Sequence, residues 1–399
     1  MRPAPLMRLL GPLFALSIVV TACGSDSPST SSSAASSAGS SAASSSNLPP
    51  LKVGSIISQT GTFAAVGAGI LRGVQQAEAT WNSDASHRQI KVSSCDDQST
   101  PEGGLACFNQ LRDDSDVIVG PHLFPSYAAV KDIVSGDGPV LFTGVPFSAP
   151  AASSFIFQTQ PNIDDIVDGQ LAYAAKAGLK KVASITSNDQ PGNLGKAAVA
   201  RLASKHGVDI VSQESLDPTA QNLAPQASNV AAAQPDAVIS WTIGAPLVNV
   251  LRALHDAGVT APVLMGSGSM SAPILAQAAD QTPPQLLFVA SAAFEPAKIS
   301  DATYRARVED FNKSFVAQFQ QVPDNNAYLA ADAVFYAAQA GGSASSTADI
   351  KKSLESGTPV ESLLWGPYKY TADDHVGTKS RDFSVLEWHL ETKSWTIVD

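Results

Sequence analysis

The sequence predicts an α/β protein built as two doubly wound parallel-sheet lobes, and three observations carry that expectation. Short runs rich in β-branched residues alternate with amphipathic helical segments from Leu51 onward. The alternation restarts near Asp164, then gives way to three consecutive helices and three short strands. At 399 residues the chain is too long for one ordinary core. Strands separated by helices pair in parallel, with helices on both faces of the sheet. Two such runs give two lobes, and a tail that adds helices to one and strands to the other makes the chain cross between them more than once.

The elements follow in order. Residues 51–57 read as a buried strand, and after the turn Ser58-Gln59-Thr60-Gly61-Thr62 the residues Ile70, Val74, Ala77 and Trp81 recur at helical spacing. Residues 90–94 form a second strand. Thr100 and Pro101, as N-cap and first helical residue, open a helix that runs to Arg112. Strands over 116–120 and 139–142 flank a helix over 126–134. In the second run, strands are expected over 181–186, 208–212, 236–240, 262–265 and 286–290, with helices over 193–206, 222–233, 246–257 and 272–279 between them. The tail gives helices over 301–319, 327–340 and 348–355, then strands over 364–370, 383–388 and 395–398.

Ahead of this body lies a segment of another kind. Arg2 and Arg8 precede an almost wholly apolar stretch over 9–20, the length of a signal-peptide core, and Val20-Thr21-Ala22-Cys23-Gly24 follows. Small residues before a cysteine at that point resemble the bacterial lipoprotein box. The resemblance implies removal of residues 1–22, lipidation of Cys23 and anchoring on the outer face of the cell membrane. Residues 23–50 are dominated by Ser and Ala, cannot bury enough apolar surface to offset their ordering entropy, and are expected to be a disordered tether.

Composition removes several classes of function. A formal net charge of −11 repels phosphate backbones, so nucleic acid is excluded as a partner. No run of about twenty apolar residues occurs, so no membrane-spanning helix is expected. Three cysteines are too few for a disulfide framework or a Cys-rich zinc module. With Cys23 lipidated, an even pair remains in an exported protein, and a disulfide between Cys95 and Cys107 is expected. The six histidines show no metal-ligand spacing, and no cofactor is implied. Gly67-Ala68-Gly69-Ile70-Leu71-Arg72-Gly73 approximates a dinucleotide fingerprint, but it lies inside a helix and is one residue too long. No Gly-x-Ser-x-Gly elbow exists, and Gly266-Ser267-Gly268-Ser269 lacks the final glycine. Nothing reads as catalytic. His122, on a strand-end loop, is read as a hydrogen-bonded loop residue ahead of a ligand contact.

Several segments, in their order and spacing, are similar to type I periplasmic binding proteins, in particular the branched-chain amino-acid-binding group of ABC-transporter solute-binding lipoproteins. These are Leu51-Lys52-Val53-Gly54 through Thr60-Gly61-Thr62-Phe63, residues 67–82, Asp96-Asp97-Gln98-Ser99 before Pro101, Val117-Ile118-Val119-Gly120-Pro121, Gly366-Pro367 and the closing 382–389. The resemblance covers 51–399. It implies one lobe from 51–158 plus 295–367 and another from 159–294 plus 368–399. They would be joined by three crossovers near 158–160, 292–295 and 368–370, with Gln158, Thr159, Ala293, Phe294 and Lys369 as hinge residues. The resemblance implies a monomer that closes on a small molecule between the lobes and presents the closed form to a membrane ABC permease. A ligand-sensing lipoprotein that signals to a membrane receptor is the alternative.

Members that hold α-amino acids clamp the carboxylate with Ser and Thr, contact the ligand with Tyr, and pair the ammonium with an acid. Here the serine position falls on Phe124, with Ser126 close by. The second clamp falls within Gly144-Val145-Pro146-Phe147-Ser148, giving Val145 and Phe147. The tyrosine loop is Asn188-Asp189-Gln190-Pro191-Gly192, giving Asp189 and Gln190, and the second aromatic position is Ile243 beside Trp241. The acid position lies in Gly266-Ser267-Gly268-Ser269-Met270, where no carboxylate exists; Ser267 and Gly268 stand there, and Val66 on the first helix completes the expected set. An unpaired ammonium in a closed cleft is costly to desolvate. The sequence therefore favours an apolar or aromatic ligand with a few polar contacts. The competing reading keeps an amino-acid-like ligand, with some of these aromatics in the core and Asp189 supplying the charge.

Overall fold

A strand whose residues are buried on both sides needs a helix layer on each face, and the first half of the chain supplies both. In the computed structural model, which describes residues 48–134, 136, 138–146, 150–151, 153–278, 280–377 and 383–399, β1 (Leu51–Ile57) is followed by α1 (Ala64–Asn82) and β2 (Ile90–Asp96). Next come α2 (Pro101–Leu111), β3 (Val117–Val119), α3 (Phe124–Val130), β4 (Val140–Thr143) and β5 (Ile156–Gln158). The five strands form one parallel sheet in the order β2-β1-β3-β4-β5. Val53 and Ile57 face α1, while Ile56 packs with Phe108 and Tyr127 on the α2–α3 side. The Thr100 hydroxyl accepts the Gly103 N–H and Pro101 sits in the first turn, as the sequence predicts.

The second run builds α4 (Ile163–Lys176), β6 (Lys181–Ser187), α5 (Gln190–Leu202), β7 (Asp209–Leu216), α6 (Ala224–Ala232) and β8 (Ala237–Trp241). It continues with α7 (Ala245–Asp256), β9 (Val263–Gly266), α8 (Ala272–Ala278) and β10 (Leu286–Ala290). The tail adds α9 (Ala302–Phe319), α10 (Asn325–Gly341), α11 (Thr347–Glu355), a short antiparallel pair β11 (Val360–Glu361) and β12 (Pro367–Tyr368), then β13 (Ser384–His389) and β14 (Ser394–Ile397). The second sheet runs β14-β13-β10-β9-β8-β6-β7, with β13 and β14 antiparallel at its edge. The fold is thus α/β with two parallel-sheet lobes, as the sequence predicts.

The tail helices return to the first lobe. α10 lies against α1 at very short range because Gly73 has no side chain: a Cβ there would sit 2.1 Å from the Ala327 carbonyl oxygen. The strand expected over 364–370 shrinks to Pro367–Tyr368. The preceding loop is drawn inward instead, since the buried Asp332 carboxylate accepts the Leu363 N–H at 2.6 Å, the Leu364 N–H at 3.1 Å and the Ser362 hydroxyl at 2.5 Å. Three elements not expected from the sequence also appear, one of them the two-residue β11. β5 has only three residues, too few to show periodicity, and α4 starts beside the predicted crossover.

The crossing segments are closely tied. Gln158 ends β5, and its carbonyl accepts the hydroxyls of Tyr368 and Tyr370, while its N–H donates to the His375 carbonyl. Thr159 donates its N–H to Thr143. Ala293 is buried, and Phe294 packs edge-on between Tyr328 of α10 and Trp395 of β14. Lys369 is exposed beside Gly357. Tyr368, Tyr370 and His375 all stay against β5 of the first lobe, so the chain remains there through His375, beyond 368–370.

Candidate functional site

Parallel strands of both sheets end on one cavity of about 290 Å³, which is where open α/β sheets hold ligands. Its first-lobe wall consists of Thr62, Phe63, Val66 and Ile70 after β1, His122 to Pro125 after β3, Gly144 and Pro146 after β4, and Asn326 and Leu329 of α10. Across from these stand Asp189 and Pro191 after β6, Pro218 and Thr219 after β7, Ser240, Trp241 and Ile243 at the end of β8, and Gly268 and Ser269 after β9. Gln160 and Ile166 close the side nearest the first crossing.

Local sequence explains how these groups reach the cavity. Gly120 adopts φ +89°, and a Cβ there would lie 2.5 Å from the Ile56 carbonyl oxygen, so only glycine turns the chain from β3 toward His122. Trp241 seats on Gly195 of α5, where a Cβ would lie 2.4 Å from the indole. Its Nε1–H donates to Gln170 Oε1 at 3.3 Å, which orients the ring along the wall. Asp189 caps α5: its Oδ1 accepts the Gly192 N–H at 3.0 Å and the Ser187 hydroxyl at 2.6 Å.

Val66, Phe124, Asp189, Trp241, Ile243 and Gly268 stand together in the wall. Others among the expected residues stand elsewhere. Ser126 is buried behind the wall, with its hydroxyl 2.6 Å from Asp97 Oδ2 and 3.2 Å from the Thr100 carbonyl oxygen. Asp97 also accepts the Ser58 hydroxyl at 2.6 Å, so Ser126 locks α3 to the ends of β1 and β2 rather than meeting a ligand. Val145 turns into the α2–α3 side of the core, because its neighbours Gly144 and Pro146 take the wall positions. Gln190 is the exposed first residue of α5 and points off the cavity. Ser267 is buried in a 3₁₀ turn that presents Gly268 and Ser269 instead; Ser269 is held by a bond from its hydroxyl to the Thr242 carbonyl at 3.1 Å. Met270 is wholly buried in the core. Phe147 and Cys23 lie outside the described residues.

His122 departs from its expected role as a hydrogen-bonded loop residue. It lines the cavity, and neither ring nitrogen, both buried, has a protein partner. Burial pushes its pKa down to about 4, so the ring is neutral near pH 7. The Ser240 hydroxyl and the Asn326 amide nitrogen are likewise buried in the wall without a protein partner. Asn326 and Leu329 escape sequence reasoning because α10 is distant in sequence and no motif marks them. The wall holds no Lys or Arg among the described residues. Cys95 at the end of β2 is bonded to Cys107 on α2, outside the cavity, with Cα atoms 5.6 Å apart. No group of three or more metal-ligating side chains occurs among the described residues.

Comparison with known proteins agrees with this geometry. The profile of a periplasmic binding protein family matches residues 50–392. The chain is 25% identical over 350 residues to the Leu/Ile/Val-binding protein homolog 3 of Brucella melitensis, covering 85% of this chain and 91% of that protein. An extracellular ligand-binding receptor from Rhodopseudomonas palustris superposes with a TM-score of 0.77 at 20% identity, covering 88% of this chain and all of the other. A solute-binding protein of an ABC transporter from R. palustris, solved in complex with benzoate, gives 0.71 at 19% identity over 88% of this chain and 95% of its own.

Proposed function

The chain belongs to the periplasmic binding protein family, whose members bind rather than catalyse, and from that premise we propose that it is an extracytoplasmic solute-binding protein of an ABC importer. It takes a small apolar, aromatic or amino-acid-like molecule between its lobes and delivers it to a membrane permease. The observation that carries this reading is the apolar cavity shared by the strand ends of both lobes. A relative's name refers to leucine, isoleucine and valine, and a fold neighbour was solved with benzoate; both support a ligand of about that size and polarity.

Gln158, Thr159, Ala293, Phe294 and Lys369 are the hinge in this reading, with the third crossing placed after His375. The lobes are 51–158 with the tail helices, and 159–294 with the final strands. Val66, Phe124, Asp189, Trp241, Ile243 and Gly268 contact the ligand. A bound ligand favours the closed arrangement by its differential affinity for it. Cys23 carries the lipid that keeps the protein at the outer membrane face, with 23–50 as the leash.

A thermal-shift screen of the purified protein, unfolded and refolded to strip carried-over ligand, tests the binding role. The panel sets leucine, isoleucine and valine beside benzoate and other apolar acids, amides and alcohols. A ligand at 100 times its Kd adds about 2.7 kcal/mol to folding stability. No stabilisation by any member would sink the reading.

A further inference from the structure

We propose that the cleft is built for an apolar monocarboxylate that lacks an ammonium group, with the carboxylate seated against His122, and that binding draws one proton from solvent onto that imidazole. The inference rests on the binding role above and names its ligand class.

The wall supplies the argument. It is apolar except for a few groups, and those buried without a protein partner are the two ring nitrogens of His122, the Ser240 hydroxyl and the Asn326 amide nitrogen. A hydroxyl and an amide N–H donate, which suits a ligand end made only of acceptors. A carboxylate is such an end. An ammonium is the reverse, three donors with no acceptor, and the one carboxylate in the wall that could pair with it is Asp189. Asp189 stands at the exposed rim, and its Oδ1 already accepts two bonds within its own lobe. The volume of about 290 Å³ holds roughly ten water-sized groups, which fits an acid such as 4-methylpentanoate or 3-phenylpropanoate.

The proton follows from the same inventory. A neutral imidazole presents one donor and one acceptor, and a carboxylate satisfies only the donor. Protonation converts the acceptor into a second donor and places a cation beside the anion in a wall with no Lys or Arg among the described residues. Few charges compete for that role. Thr62 and Phe63 face the cavity from the turn before α1, Val66 and Ile70 from α1, Gly144 and Pro146 from the end of β4, and Asn326 and Leu329 from α10, none of them titratable. The cap of α10, Asp324, turns to the Ala327 N–H, and from the opposite lobe only Asp189 reaches the wall. Without an anion, burial keeps the imidazole neutral down to about pH 4. An adjacent carboxylate raises its proton affinity again. The step is ligand anion plus neutral His122 plus one solvent proton, giving an imidazolium–carboxylate pair, with no covalent bond made or broken apart from N–H.

The experiment is isothermal titration calorimetry on the full chain with two matched pairs, 4-methylpentanoate against leucine and 3-phenylpropanoate against phenylalanine. The acids are expected to bind at least tenfold more tightly than their amino acids. If the bound carboxylate returns the imidazole to its ordinary pKa of 6.5, acid affinity rises about tenfold from pH 7.5 to 5.5. Repeating the titration at pH 6 in buffers of different ionisation enthalpy should then read an uptake of about three quarters of a proton. The H122Q variant is expected to bind the acids with no such pH slope. The proton count is read on the unaltered protein, so it decides the matter even if H122Q fails to fold. Acids that bind with flat affinity and no proton uptake overturn the inference and leave the binding role intact. So does tighter binding of leucine or phenylalanine. Binding of no member of either pair, nor of their amides and alcohols, overturns both.

Discussion

The ligand-free protein should carry the signature of His122 in its stability. Its imidazole has a pKa near 4 in the folded state, against an ordinary value of 6.5. Between those values the unfolded chain binds the proton and the folded one does not. Falling pH therefore favours unfolding, at about 1.4 kcal/mol per pH unit within that window. The contribution is fully present above pH 6.5 and is lost as pH falls toward 4. Integrated from pH 7.5 to 4.5, the loss is roughly 2.5 kcal/mol. Other groups titrate in the same range, so the quantity to measure is the difference between the unaltered protein and H122Q, by urea denaturation at half-unit pH steps. The variant's own offset at pH 7.5 cancels in that difference. Parallel stability–pH curves for the two proteins would refute a buried, unpartnered imidazole at this position.

Three further outcomes are expected. Replacing Cys95 and Cys107 with serine opens a loop of twelve residues and should lower stability by up to about 3 kcal/mol in thermal unfolding, with ligand affinity unchanged because the bond lies outside the cavity. Gly73→Ala drives a methyl group into the Ala327 backbone, and overpacking of this kind costs about 1–3 kcal/mol, read as a lower urea midpoint. Asp332 is held at a raised pKa of about 6 by burial, with three hydrogen bonds in opposition. Its folded state takes up the proton first, so relative to D332N the unaltered protein should gain stability as pH falls from about 6 toward 4, opposite in sign to His122; at pH 7.5 D332N should still be the less stable by about 1–3 kcal/mol, since its amide nitrogen replaces one acceptor oxygen and meets a buried donor, the Leu364 N–H or the Leu363 N–H, donor to donor.

How far the site was legible in the sequence depends on what kind of signal each residue carries. Strands such as 51–57 and 286–290 announce themselves because both faces are buried, and their helices because one face is. Phe124, Trp241 and Ile243 were reachable because each lies just past a recognisable strand end. Ser126 misled for a physical reason: two residues along a short helix turn a side chain through more than half a circle, here from the cavity to Asp97. His122 was visible as a loop residue, but the absence of a protein partner for its ring depends on Gly144 and α10 and is invisible locally. Asn326 carries no signal at all, since its place in the wall is set by a helix contact made across some 250 residues. Tyr368 and Tyr370 read as strand at the expected third crossing, whereas their hydroxyls reach back to Gln158, a contact no local pattern marks.

The short-range seat of α10 on α1 also has a consequence in time. Gly73 and Ala327 are separated by roughly 250 residues, which a ribosome adds in some ten to fifty seconds at 5–20 residues per second. Throughout that interval α1 covers its side of the first sheet without α10, while the strands β6 to β10 of the second sheet arise from one uninterrupted stretch of chain and only its edge strands β13 and β14 come later. The lobe whose strands are made first thus lacks part of its helix layer until most of the chain has been made. Its glycine-lined helix waits with an apolar stripe open to solvent and to any carrier that shields nascent chains.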